Sequence, residues 1–366
     1  MRIAHVSDCY APRLGGIEVQ VGELARRQVE AGDEVRVLTA TRLGADHDGA
    51  DGVVVHRITA RVPFDLPVAP RTHHHVTDVL RRHRVDVVHV HAGVVSPFAW
   101  SGLKAALDLG MPTLVTAHCV WGPLATPGFR LAEKVVRWSS AGAQLSAVSD
   151  VAAAPIRSVA ADGASVLVLP NGIDPSRWQV EHRPREPGVL RVAAVMRLAP
   201  RKRAVPLAVI LRNAADALAP QVRLRATVVG DGPDRARLQR HAGGAVRLPG
   251  RLSHDAIRSL YATTDVFVQP SVRESFGLAA LEARAAGLPV VARSQAGIGT
   301  FVRDGVEGLL AADDAGLTAA LVRLGQDPVL LDRISDHNRQ TPVVQDWPHV
   351  LAATRAAYAA AGATAA

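Results

Sequence analysis

Aromatic residues, cysteines and long apolar runs are all scarce in this sequence. Aromatic residues make up 4% of the chain, so valine, leucine, isoleucine and alanine must build its core. The two cysteines, Cys9 and Cys119, are too few for a disulfide framework and suit a reducing compartment. No apolar run reaches the roughly 20 residues of a membrane span, and no signal peptide precedes the first strand-like segment. These absences predict a cytoplasmic protein.

An excess of basic residues is what the chain has instead. Its 42 lysines and arginines outnumber its 34 acidic residues, which gives a net charge of +8. Such an excess suits anionic small molecules, anionic lipid surfaces or nucleic acid. Arginine binds phosphate with paired hydrogen bonds, whereas base stacking needs aromatic side chains that are rare here. We therefore expect an anionic partner and no nucleic acid.

Two successive series of strands and helices divide the 366 residues. Valine- and leucine-rich runs alternate with helical stretches, as in parallel sheets that are buried on both faces. The first series runs from IAHVS to VLVLP and the second from LRVAAV to LPVVAR. We predict an α/β protein with two doubly wound Rossmann-like domains, residues 1–180 and 181–345, facing a central cleft. Residues 174–188 are the expected linker, and residues 346–366 form a helix expected to pack back on the N-terminal domain.

The sharpest motif is ESFGLAALEARAAGLPVVA, which follows the strand-like run DVFVQ. Its spacing predicts a helix that begins near Phe276 and stops at Gly287. The buried stripe of this helix should consist of Leu278, Leu281 and Ala285. The first turn of a helix offers free N–H groups and the positive end of the helix dipole. The motif therefore predicts a phosphate site at the start of this helix.

Two carboxylates flank that predicted phosphate site. Glu274 lies in the loop before the helix, and Glu282 lies in its second turn. Because helical side chains lean toward the N-terminus, Glu282 could accept hydrogen bonds from a ribose beside a diphosphate. Glu274 could bind hydroxyls of a transferred sugar. Two solvated glutamates would show the same spacing, but the GLPVVA strand downstream and the glycine pair near the N-terminus favour a site.

Two more loops follow predicted strands, where ligands of doubly wound sheets bind. The basic loop VMRLAPRKR after LRVAAV contains Arg197 and Lys202. Gly15 and Gly16 follow the first strand, and glycines let a ligand approach the backbone closely. Their spacing does not match the dinucleotide-binding pattern G-x-G-x-x-G.

Histidines occur at strand ends and in one short run. His118 ends the strand-like segment TLVTAH. His89 and His91 share one face of a strand by period-two alternation, and we interpret both as structural. Three adjacent histidines at 73–75 are typical of a surface. No metal site is therefore predicted.

Taken in order, these motifs resemble the retaining glycosyltransferases of the GT-B fold, in the large family 4. ESFGLAALEA is similar to the family's Glu-x7-Glu motif, which implies that Glu274 contacts the donor hexose and Glu282 the donor ribose. The segment around Arg251 resembles the one whose backbone meets the nucleobase. The amides that would face the donor phosphates are those of Phe276, Gly277 and Leu278.

The resemblance also assigns the other loops. Arg197 and Lys202 match an arginine and a lysine that neutralise the diphosphate, and His118 matches a histidine near the reacting carbon of the sugar. Gly15 and Gly16 match the loop beside the donor phosphates and the acceptor.

The basic loop departs from the family pattern at two positions. Met196 and Arg203 stand where glycine is common. This departure leaves open which of Arg201, Lys202 and Arg203 points inward.

The resemblance implies a hexosyltransferase that uses a GDP- or UDP-hexose and retains the anomeric configuration. Same-face attack, with the leaving phosphate as base, is the expected mechanism. The cationic side chains and the helix start would replace a metal ion, so we expect no cofactor besides the nucleotide sugar. The alternatives are a sugar-nucleotide epimerase of the same fold, a glycosyltransferase for small secondary metabolites, and a catalytically silent binding protein.

The acceptor is expected to bind mainly to the N-terminal domain. Residues 61–84 carry arginines among apolar residues, namely Arg71, Arg81, Arg82 and Arg84. Such a surface suits an anionic membrane, although a solvated helix face would have the same composition. We therefore expect a lipid-linked or cell-envelope acceptor and peripheral association with the inner face of the plasma membrane.

Overall fold

The computed structural model describes residues 1–13, 15–42, 52–59, 71–122 and 125–364. Contacts divide the chain into two compact units. The first unit is Met1–Gly172 together with Trp347–Ala366, and the second is Ile173–Asp346. No helix in these described ranges is long and apolar enough to cross a membrane.

The first unit is built on a seven-stranded parallel sheet in the order β3-β2-β1-β4-β5-β6-β7. The strands are β1 (Arg2–Ser7), β2 (Glu34–Thr39), β3 (Val54–Arg57), β4 (Val87–Ala92), β5 (Thr113–Ala117), β6 (Gln144–Ala147) and β7 (Val166–Val168). The helices are α1 (Gly16–Glu30), α2 (Thr72–Arg82), α3 (Pro97–Asp108), α4 (Ala125–Val136), α5 (Asp150–Arg157) and α12 (Trp347–Ala360).

The second unit is built on a six-stranded parallel sheet in the order β10-β9-β8-β11-β12-β13. The strands are β8 (Val189–Val195), β9 (Arg223–Val229), β10 (Val246–Gly250), β11 (Val266–Gln269), β12 (Val290–Arg293) and β13 (Gly308–Ala311). The helices are α6 (Ala204–Leu218), α7 (Arg235–Ala242), α8 (His254–Tyr261), α9 (Leu278–Ala285), α10 (Asp314–Gln326) and α11 (Pro328–Gln340).

Two doubly wound parallel sheets confirm the predicted fold class. Strand order reverses between β1 and β4 in one sheet and between β8 and β11 in the other. Central strands such as β4 and β11 are buried along their whole length, which is why they appear as continuous apolar runs in the sequence. Such reversal points are where doubly wound sheets bind their ligands.

Residues 174–188, the predicted linker, pack against the second unit. The N–H of Arg183 donates to the carbonyl of Ala262 at 2.9 Å. The ring of His182 lies 2.6 Å from the carbonyl oxygen of Ala286. This stretch is thus an integral part of the second unit.

Helix α12 belongs to the first unit, where it packs on α1. Trp347 and Val350 form a small buried cluster with Leu24. A Cβ atom on Gly172 would lie 2.9 Å from the Trp347 ring, so glycine is needed there for the indole to pack. Arg355 adds an ion pair to Asp33 at 3.0 Å.

Candidate active site

The candidate site of the second unit forms where two neighbouring strands end. β8 leads into the loop that carries Lys202, and β11 leads into the loop that carries Glu274. The two strands pair directly, so two residues 72 positions apart in the sequence meet at one edge of the sheet.

Glu274 is the point of contact between these loops. Its buried carboxylate accepts hydrogen bonds from Lys202 Nζ at 2.6 Å and from Gln269 Nε2 at 2.8 Å. Both bonds end on Oε2, and Oε1 has no hydrogen-bond partner in the described chain. Glu274 therefore presents one oxygen that a ligand hydroxyl can use.

Only one of the three candidate cations in the basic loop contacts that carboxylate. Lys202 does so, whereas Arg203 pairs with Asp314 at 2.5 Å. Arg201 is exposed. Arg203 has a φ of 61°, a left-handed conformation that glycine adopts at little cost. This backbone geometry explains why glycine suits the position, whereas the ion pairs identify Lys202 as the side chain that points toward Glu274.

Gly277 sets the start of helix α9. Its φ is 95°, and a Cβ atom there would lie 2.7 Å from Cγ1 of Ile298. The helix begins at Leu278, two residues later than predicted, and ends before Gly287, whose φ of 84° is typical of a helix stop. Phe276 is buried against Phe301, with the ring centroids 5.3 Å apart.

The amides of the predicted phosphate site at this helix start are not used by the part of the fold that the structure describes. The N–H groups of Phe276, Gly277 and Leu278 have no acceptor among the described residues. Free amides at a helix N-terminus favour an anion.

The predicted buried stripe of α9 was partly wrong. Leu281 is buried, but Leu278 and Ala285 are only half-buried. The helix instead buries the set Ala280, Leu281, Ala283 and Arg284. The small alanines at 280 and 283 allow this face of the helix to pack closely.

Glu282 is half-buried on α9, and its side chain makes no hydrogen bond or ion pair with any residue that the structure describes. Burial raises the pKa of its carboxyl to about 8. Burial raises the pKa of the neighbouring Tyr261, and the negative charge of Glu282 raises it further. A half-buried carboxyl whose charged form is destabilised by desolvation, and which has no hydrogen-bond donor beside it, is a candidate for ligand binding.

Arg197 and Arg251 follow strands β8 and β10 and are exposed. Neither side chain forms an ion pair or hydrogen bond within the described ranges. Their predicted contacts with the diphosphate and the nucleobase stay predictions.

The first unit carries the remaining candidates at the ends of β1 and β5. Gly15 caps α1, and a Cβ atom there would lie 2.3 Å from the carboxylate of Glu18. Gly16 is the first residue of the helix and is exposed.

His118 is buried, and its Nε2 lies 3.0 Å from Nδ1 of His91. Burial lowers the pKa of His118 to about 4, so the ring is neutral near pH 7.

Other residues near strand ends have structural roles. Ser149 caps α5 by accepting from the N–H of Ala152. At Gly230 and Gly232 a Cβ atom would collide with the carbonyl oxygens of Met196 and Leu198, at 1.9 and 2.3 Å. These glycines let two loops approach each other beside the end of β8.

Sequence reasoning missed Gln269. It is the last residue of β11, and its Nε2 donates to Glu274 while its Oε1 is buried without a partner in the described chain. A polar residue is unusual in a buried apolar strand such as β11, so the glutamine at its carboxyl end could have indicated a functional role from the sequence.

Two Rossmann-like units, each with candidate residues at its strand ends, define a GT-B architecture. Solved structures share it. A glycosyltransferase from Rickettsia africae aligns with a TM-score of 0.76 at 16% identity, covering 100% of this chain and 99% of that one. Anabaena HepE, solved in complex with UDP and glucose, aligns with a TM-score of 0.73 at 19% identity, covering 98% and 99%.

Sequence similarity identifies the family. The profile described as "Glycosyltransferase Family 4" matches residues 14–177, and "Glycosyl transferases group 1" matches residues 190–327. A GDP-mannose-dependent alpha-mannosyltransferase of Mycolicibacterium smegmatis is 30% identical, covering 96% of this chain and 95% of the relative. One of the subunits of the phosphatidylinositol N-acetylglucosaminyltransferase of Arabidopsis thaliana is 26% identical, covering 98% and 81%. The chain therefore belongs to family 4 of the glycosyltransferases and is an enzyme of that class, as predicted.

Proposed function

We propose that this glycosyltransferase moves a hexosyl group from a GDP- or UDP-hexose to an acceptor hydroxyl, with retention of configuration and without a metal ion. The contact of Lys202 with Glu274, two residues before the free amides at Phe276, is the observation that carries the proposal. An ammonium group and helix-start amides suit a diphosphate. The free oxygen of Glu274 suits a sugar hydroxyl.

Each group has a defined task in the proposed reaction. The bond between the anomeric carbon and the diphosphate oxygen breaks, and negative charge grows on that oxygen. Lys202 and the amides at the start of α9 stabilise this charge. The acceptor hydroxyl attacks the same face of the sugar and gives its proton to the leaving phosphate, so no protein base and no covalent carboxylate intermediate are required.

The donor can be identified by a thermal-shift screen with GDP-mannose, UDP-glucose and UDP-N-acetylglucosamine. A relative named as GDP-mannose-dependent and a structural neighbour bound to UDP-glucose support testing both bases. A bound donor at 100 times its Kd should stabilise the protein by about 2.7 kcal/mol. Glu282→Ala should reduce the shift at the same donor concentration, while Glu181→Ala, at an exposed position of the same unit, should keep it. No shift with any sugar nucleotide would favour a silent binding protein.

The stereochemistry can be read from the product by NMR. An axial linkage from an axial donor would support retention, and an inverted linkage would contradict it. A new sugar isomer formed from the donor alone, without acceptor, would instead indicate an epimerase.

We further propose an acceptor carried on an anionic lipid surface. Four arginines at and around α2 are exposed, namely Arg71, Arg81, Arg82 and Arg84. The name of the Arabidopsis relative also points to an inositol lipid. Residues 61–70 of the predicted basic segment lie outside the described residues.

Vesicle co-sedimentation tests this acceptor class. Phosphatidylcholine vesicles with added phosphatidylinositol should retain the protein at low salt, and binding should fall at high salt because screening weakens the attraction. The double variant Arg81→Glu/Arg82→Glu should lose binding, whereas Arg240→Glu, an exposed arginine of the second unit, should not. Absence of binding at either salt would favour a soluble, small-molecule acceptor.

A further inference from the structure

Buried polar side chains form one continuous hydrogen-bonded chain inside the first unit. The chain crosses the sheet from Ser146 on β6, through β5, β4 and β1, and ends at His118. It also passes through Gln28 on α1 and Tyr358 on α12. All its members are buried, so their hydrogen bonds are made mainly with one another and with the main chain.

One end of the chain is fixed by a main-chain carbonyl. Ser146 Oγ lies 3.0 Å from the carbonyl oxygen of Val115 and 2.7 Å from Thr116 Oγ1. A carbonyl can only accept and a hydroxyl has one proton, so Ser146 donates to Val115 and accepts from Thr116. The proton of Thr116 is then used, and its oxygen must accept from Nε2 of His89, at 2.7 Å.

The same reasoning continues through the middle of the chain. With its proton on Nε2, neutral His89 accepts at Nδ1 from the hydroxyl of Tyr358, at 3.0 Å. The oxygen of Tyr358 accepts from Nε2 of Gln28, at 3.0 Å. The side-chain oxygen of Gln28 then accepts from Nε2 of His5, at 2.6 Å.

The hydrogen-bonded chain ends at His118. His5 accepts at Nδ1 from Nε2 of His91, at 2.9 Å. His91 accepts at Nδ1 from Nε2 of His118, at 3.0 Å. Nε2 of His118 therefore carries the proton, and its Nδ1 has a lone pair with no partner in the described part of the chain.

The protonation of the rings agrees with this direction. Burial lowers the pKa of His5 to about 4, as it does that of His118, and it lowers the pKa values of His89 and His91 well below their usual range. Each ring thus carries one proton near pH 7, as a one-directional chain requires. Ring nitrogens of His5, His89 and His91 lie within 4.8 Å of one another, but every nitrogen of these three rings already has a hydrogen-bond partner, which argues against a metal ion.

We propose that this chain holds His118 as the Nε2-protonated tautomer, so that its Nδ1 accepts a hydrogen bond from a hydroxyl of the bound sugar, with Gln28 as a positioning residue. The sugar contact rests on the proposed function, whereas the tautomer does not. The chain selects a ligand that donates to His118, as a sugar hydroxyl does and an ionised phosphate oxygen does not.

NMR of the full protein labelled with ¹⁵N-histidine tests the tautomer without any ligand. Long-range ¹H–¹⁵N correlations near pH 7.5 should show His118 with a protonated Nε2 and an unprotonated Nδ1, with His118→Gln used to assign its signals. The opposite tautomer would overturn the proposal, since the chain would then run in the other direction.

Two variants on helix α1 separate positioning from stability. Gln28→Met removes the acceptor of the His5 proton, so His118 should shift toward the Nδ1-protonated form and kcat should fall about tenfold with little change in KM. Gln28→Glu keeps an acceptor for the proton of His5 and should therefore retain the wild-type tautomer of His118. Gln20→Met is the matched control, because Gln20 is buried on the same helix and makes two hydrogen bonds to Gly172; its His118 signals should be those of the wild type. Equal effects of Gln28→Met and Gln20→Met on the His118 signals would refute the positioning role.

The ligand contact has its own readout. Saturating GDP-mannose or UDP-glucose, whichever stabilises the protein, should shift the Nδ1 resonance of His118. A wild-type tautomer with no shift on donor binding would overturn the sugar contact, while a complete lack of donor binding would instead contradict the proposed function.

Discussion

Replacing Glu282 by glutamine should make the free enzyme more stable in mildly alkaline solution and a weaker binder of its donor. The folded protein raises the pKa of this carboxyl from 4.5 to about 8, whereas the unfolded chain ionises it near 4.5. The folded state therefore loses stability as the pH rises from 4.5 to 8. Full desolvation would make this loss about 5 kcal/mol, and the partial exposure of the side chain reduces it to about 1 to 3 kcal/mol.

Glutamine has the same shape and no charge to bury. The free energy of unfolding of Glu282→Gln should therefore match that of the wild type near pH 5 and exceed it by about 1 to 3 kcal/mol near pH 8.5. Urea unfolding at both pH values measures the difference. Glu181→Gln, at an exposed position of the same unit, retains Glu282 and should therefore follow the wild type at both pH values. Donor affinity of Glu282→Gln should fall most clearly near pH 8.5, where the wild-type carboxyl is charged and glutamine offers only a neutral acceptor. Equal stability of Glu282→Gln and wild type at both pH values would refute the argument.

Three further predictions concern other parts of the molecule. Lys202→Ala should lower kcat about 100- to 1000-fold with a smaller change in KM, as measured by steady-state kinetics. Arg201→Ala, which removes the exposed neighbouring side chain, should lower kcat much less. Gly277→Ala should lower the free energy of unfolding by about 1 to 3 kcal/mol, because the alanine would have a positive φ and its Cβ would contact Ile298. Urea unfolding should show a much smaller loss for Gly299→Ala, where the added Cβ meets open space. The pKa values of His5 and His118, lowered from 6.5 to about 4, predict that stability falls as the pH drops from 6.5 to 4, by about 3 kcal/mol for each ring; a flat unfolding free energy across that window would contradict this.

The sheets could be predicted because their strands are buried on both faces. Runs such as VVHVHA and VFVQ lie in central strands of parallel sheets, so nearly every position is apolar or internally paired. Strand β13 was missed, since GLLA is four residues long and starts with glycine. That glycine is required, because a Cβ atom on Gly308 would lie 1.9 Å from the carbonyl oxygen of Val290. A requirement of this kind depends on the neighbouring strand and cannot be read from the local sequence.

The candidate site was predictable only in part. The motif placed Glu274 and Lys202 in loops after strands, and strand pairing brings them into contact. Gln269 stands out as a polar residue at the end of β11, but its role depends on the fold of the next loop, which brings Glu274 to it. The chain that ends at His118 depends on partners as distant as Gln28 and Tyr358, which are 330 positions apart. Their roles arise from packing alone, and neither residue lies in a recognisable motif.

Helix α12 gives the first unit a dependence on the order of synthesis. Its Tyr358 supplies the hydroxyl that joins Gln28 to His89, and its Trp347 fills the space left by Gly172. A ribosome releases the whole second unit before these side chains emerge. Until then the nascent first unit must hold buried amide and imidazole groups without their partners. Completion of its interior is therefore delayed until about half of the polypeptide has been added.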